Sequence, residues 1–102
     1  MKTLIESIIG KRGAAQDTGI ISKCQEMIVR IETAPWRDAM VLASDFYDQM
    51  LENLYKYPSE VQRIMNDSIK LWNGKAISAS KRTDIFIQAI RSISNLAKKQ
   101  RS

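Results

Sequence analysis

Histidine is absent from this 102-residue chain, and Cys24 is its single cysteine. The first absence removes the commonest general base and the commonest metal ligand. The second leaves no partner for an intrachain disulfide and too few thiols for a zinc site. Carboxylate and lysine chemistry remain, but no glycine-rich loop or second catalytic residue type accompanies them, so the sequence reads as a non-enzyme without a cofactor. Gly10-Lys11-Arg12-Gly13 does not make a phosphate-binding loop, because that pattern needs four residues between its glycines and a Lys-Ser/Thr after the second, where Ala14-Ala15 stand here. Long apolar runs are also missing. None approaches the roughly 20 residues that a membrane-spanning helix requires, and Glu6 puts a carboxylate inside what would have to be the apolar region of a signal peptide. The expected location is therefore the cytoplasm.

What is present is an ordinary globular balance, with 44% hydrophobic and 26% charged residues. The length suits one domain over residues 1–102 with one modest core. The net charge of +5 is unevenly placed. Residues 1–74 hold nine Lys and Arg against ten Asp and Glu, whereas residues 75–102 hold seven against Asp84 alone, so the C-terminal part carries +6. Such a segment fits a nucleic acid, an anionic membrane surface or an acidic protein.

Helical periodicity organises the chain. Trp36, Met40, Ala43, Tyr47, Met50, Leu54 and Tyr57 recur at steps of four and three, which predicts a helix from Pro35 to Tyr57 with that face buried. Its opposite face carries Asp38, Asp45, Asp48 and Glu52, with Val41 pointing among the acids and Tyr55 also off the buried face. Before it, Ile20, Ile21, Cys24, Met27, Ile28 and Ile31 form an inward row in which the thiol acts as a small hydrophobe. After it, Val61, Ile64, Met65, Ser68, Leu71 and Trp72 form another, stopped by Asn73-Gly74, with the Ser68 hydroxyl expected to return to a carbonyl one turn back. Pro35 and Pro58 suit first turns of helices.

The last helix is expected to start at Lys81 with Ser80 as its cap and to bury Ile85, Phe86, Ala89, Ile90, Ile93, Leu96 and Ala97. Lys81, Asp84, Gln88, Arg91, Asn95 and Lys98 cover its other side. Ile87 falls beside Arg91 on that basic side, where an exposed isoleucine is a candidate partner contact. Leu4, Ile5, Ile8 and Ile9 are spaced for a short leading helix. Short connectors force antiparallel neighbours, so the expected fold is all-α: an antiparallel up-down four-helix bundle, left-handed, with a short extra N-terminal helix.

From Tyr57 onward the order of signals is a tyrosine and proline, then Val61-Gln62-Arg63-Ile64-Met65-Asn66-Asp67-Ser68-Ile69, a short break, Lys75-Ala76-Ile77-Ser78, and a last helix with Ile85-Phe86-Ile87. Over residues 51–96 this resembles the immunity proteins that protect lactic acid bacteria and streptococci from pediocin-like bacteriocins, of the enterocin A and lactococcin A types. The dibasic Lys81-Arg82 and the long tryptophan-led helix depart from the family pattern. The resemblance implies a cytoplasmic bundle that recognises the bacteriocin engaged with its membrane receptor, the mannose phosphotransferase permease, with discrimination in the C-terminal half. Lys81, Arg91, Lys98, Lys99 and Arg101 would then orient the protein at anionic lipid of the inner membrane face, each cation contributing about 1 kcal/mol before screening. Ile87 and the final turn would help read the receptor complex.

Two other readings stand beside this one. A nucleic-acid-binding regulator would place the basic last helix in a major groove, although the connector from Gly74 to Ser80 is longer than a helix-turn-helix turn. A helical adaptor or inhibitor would instead pair the acidic row of the Pro35 helix with the basic face of the last helix across the bundle.

Overall fold

Two prolines and a glycine divide the chain into its helices. The computed structural model describes residues 19–101, with side chains described through Lys98. The predicted leading helix over Leu4 to Ile9 and the Gly10 to Gly13 connector lie outside the described residues. Four main helices follow one another: α1 (Gly19–Thr33), α2 (Trp36–Glu52), α3 (Ser59–Trp72) and α4 (Ala79–Ser94), continued by a short α5 (Leu96–Arg101). No strand occurs among the described residues.

Pro35 and Pro58 each sit one residue ahead of a helix, at the cap position, with φ of −57° and −56°. Their carbonyls accept the first helical bonds, from Ala39 and Gln62 at 2.9 and 3.0 Å. The α2 helix ends five residues short of the predicted Tyr57, because Asn53 takes the Gln49 carbonyl with both its backbone N–H (3.2 Å) and its side-chain amide (2.9 Å). The chain then tightens into a 3₁₀ turn (Leu54–Lys56) before Tyr57, whose extended backbone is what a residue before proline adopts. Gly74, at φ +74°, closes α3 in the left-handed region that favours glycine.

The last helix starts earlier than expected. Ser78, not Ser80, is its cap, with Oγ accepting from the Lys81 N–H at 3.1 Å, so Ala79 is the first helical residue. It also breaks at Asn95. There the Ser94 hydroxyl donates to the Arg91 carbonyl at 2.7 Å, competing for the acceptor that the Asn95 N–H also uses at 3.0 Å.

The core follows most of the predicted rows. Ile20, Ile21, Cys24 and Ile31 from α1, Ala39, Ala43, Phe46, Tyr47 and Met50 from α2, and Val61 and Met65 from α3 are buried around Phe86, Ala89, Ile90 and Ile93 of α4. The centre is an aromatic cluster in which the Tyr47 and Phe86 rings stack at 4.1 Å while Trp72 stands edge-on to Phe86 at 5.8 Å. Because α4 packs against α1, α2 and α3 alike, it is covered on more sides than an amphipathic outer helix. That overturns the expected exposure of Ile87, which is only 8% exposed.

Two further residues reverse their expected places. Trp36 is 49% exposed, since a first-turn residue at the α1–α2 corner has no preceding turn to cover it. Leu71 is exposed because helical spacing sets it roughly 110° from the line of Met65 and Trp72 that faces the core.

Candidate functional site

The residues predicted to meet a partner separate into two groups. Lys81 stands exposed in the first turn of α4 beside exposed Arg82, and Lys98 is exposed on α5. Lys99 and Arg101 belong to α5 as well, with side chains outside the described set. Lys81, Arg82 and Lys98 are presented outward by helices whose other side is anchored through Phe86, Ile90, Ile93 and Leu96.

Arg91 and Ile87 belong elsewhere, at the corner where α1 turns into α2. The Arg91 Nη2 donates to Glu32 Oε2 at 2.7 Å, the side chains being 40% and 50% exposed. Arg91 is therefore not a free cation of a basic face. The pair crosses the rim of a hollow of about 380 Å³ with Ile31, Ala34, Ala39 and Ile87 among its lining. Half-exposed Trp36 lines the same hollow, and Asp84 and Gln88, one helical turn apart on α4, complete its polar edge. An apolar hollow with a tryptophan, an arginine and a few convergent polar groups is the composition that concentrates binding energy at protein interfaces.

Periodicity alone missed this hollow, since it set Trp36 in the core and Ile87 on the surface. The signal that was available is Pro35, because it makes Trp36 the first residue of a helix at a two-residue corner, where burial by the heptad face no longer applies.

The Cys24 thiol is fully buried, and burial pushes its pKa from 9.0 up to about 12. It stays protonated at neutral pH and is a packing group rather than a nucleophile. No helix among the described residues is long and apolar enough to cross a membrane. Comparison of the chain with family models, with curated proteins and with solved structures yields no match.

Proposed function

We propose that this chain is an immunity protein of the pediocin-like bacteriocin type, acting in the cytoplasm at the inner face of the membrane. In this reading its helices form a left-handed up-down antiparallel bundle with the short N-terminal helix appended. The observation that carries it is the combination of the signal order over residues 51–96 with the +6 charge that follows Gly74. The exposure of Lys81, Arg82 and Lys98 supports it, because these cations stand free to meet anionic lipid rather than being spent inside the fold.

The partner contact shifts from Ile87 itself to the hollow that Ile87 lines. Trp36 supplies an exposed aromatic there, and Arg91 with Glu32 supplies a polar rim for the receptor complex. Lys98, Lys99 and Arg101 at the α5 end orient the molecule.

The deciding experiment is expression of the chain in a bacteriocin-sensitive strain, followed by challenge with a panel of pediocin-like bacteriocins. Survival against at least one of them is expected to rise. Lys81→Glu together with Lys98→Glu should remove that protection while leaving the helix content unchanged. Unaltered killing by every bacteriocin at verified expression would overturn the proposal.

A further inference from the structure

No carboxylate of the acidic row of α2 forms an ion pair among the described residues. Asp38, Asp45, Asp48 and Glu52 are all exposed, and the ion pair found among the described residues joins Arg91 to Glu32, neither of which belongs to the row. No ion pair with the basic face of α4, the arrangement expected of a plain adaptor, is found among the described residues. Within α2 the four carboxylates face one cation, Arg37, and no lysine.

An apolar residue stands in the middle of this charged face. Val41 is 57% exposed between these carboxylates, and the surface falls away on both sides of it. Toward α1 lies a hollow of about 500 Å³ whose lining includes Ala34 and Leu42. Toward α4 lies one of about 310 Å³ whose lining includes Met40 and Phe86. Val41 borders both and is the ridge between them. Arg30 stands at the first hollow and Arg82 at the second, so the acidic line has a cation on either flank.

We propose that the α2 face centred on Val41 docks a basic amphipathic helix of another protein. The apolar residues of that helix straddle Val41 and enter the two hollows, as in helix-in-groove recognition. Its lysines and arginines meet Asp38, Asp45, Asp48 and Glu52, whereas Arg30 and Arg82 repel a basic segment that strays sideways. The flanking cations therefore set the occupant along α2 rather than across it, a use of charge that governs register and specificity. This face borders the basic end assigned to the membrane at Arg82, and because Lys81 and Lys98 do not line either hollow, its failure would leave that assignment untouched.

The test is an NMR titration of the full chain with a synthetic amphipathic Leu/Lys helix, beside a peptide of the same composition with its periodicity scrambled. Amide shifts are expected around Val41 on α2, with the scrambled peptide bound about tenfold more weakly or worse, the loss of one good anchor. Val41→Lys, an exposed change that should leave the far-UV spectrum and melting temperature unaltered, is expected to weaken binding by a similar factor. Equal affinity for both peptides, shifts confined to other helices, or full binding by the Val41→Lys variant would each overturn the proposal. Concentration-dependent self-association abolished by Val41→Lys would also overturn it, by showing that a second copy of this chain is the occupant.

Discussion

The hydroxyls of Tyr47 and Ser68 share a hydrogen bond in the core that ties α2 to α3. Its direction follows from the neighbouring bonds. Ser68 Oγ donates to the Met65 carbonyl at 2.7 Å, which leaves the Tyr47 hydroxyl as donor to Ser68, and Trp72 Nε1 donates to Tyr47 Oη at 3.1 Å. Each hydroxyl thus donates once and accepts once in a relay from Trp72 to Met65. The expected return of Ser68 to a carbonyl in the preceding turn is present, but as the end of this relay rather than as a local bond.

Breaking the relay should therefore cost more than a surface hydroxyl does. Tyr47→Phe leaves Trp72 without its acceptor and Ser68 without its donor, and is expected to lower stability by about 1–3 kcal/mol. Ser68→Ala should cost a similar amount. The double variant should cost less than the sum, by roughly 0.5–3 kcal/mol. Urea denaturation of the four proteins measures this coupling, and strict additivity would disprove the relay.

Arg91→Gln tests the opposite regime. The pair with Glu32 is partly exposed on both sides, so its loss should lower stability by about 1 kcal/mol or less, with an effect that shrinks as salt rises. Thermal melts at low and high ionic strength give the comparison. Because Arg91 borders the Trp36 hollow, protection in the survival assay should fall even though folding barely changes.

Cys24 gives a signed pH dependence. Between its ordinary 9.0 and the folded value of about 12, the unfolded chain has lost the thiol proton while the folded chain keeps it. Folding then takes up a proton, so stability falls as pH rises. The contribution is fully present below 9.0 and is lost through about 12, at about 1.4 kcal/mol per pH unit in that window. Denaturation curves above pH 9.0 should be steeper in pH for the natural chain than for Cys24→Ala. Alkylation of the thiol at neutral pH should likewise proceed only as fast as the protein opens.

The start of α4 separates two serines that the sequence leaves equivalent. Ser78→Ala should lower stability by about 1 kcal/mol, the usual cost of losing a cap. Ser80→Ala should lie within about 0.5 kcal/mol of the parent, as surface changes generally do. Paired thermal melts distinguish them.

Much of the helical order was legible because it depends on spacing alone. The rows through Ile20 and Ile31, Ala43 and Met50, Val61 and Met65, and Phe86 and Ile93 need only the 3.6-residue period to find their buried face. The helix junctions at Pro35, Pro58 and Gly74 were equally local, since they rest on backbone geometry that each residue imposes on itself. Which serine capped α4, and that Asn53 would stop α2 before Tyr57, turned on side-chain hydrogen bonds that periodicity does not specify.

The candidate site was legible only in its charges. Sequence by itself determined the all-helical character, the +6 C-terminal segment, the acidic face of α2 with Val41 within it, and the exclusion of histidine and zinc chemistry. Tertiary structure decided that α4 would be packed by three other helices, which buries Ile87, and that the α1–α2 corner would leave Trp36 exposed beside the Arg91–Glu32 pair. The physical reason is that a helix's periodicity specifies which of its own residues share a face, whereas exposure depends on how many neighbours cover that face and where each neighbour ends.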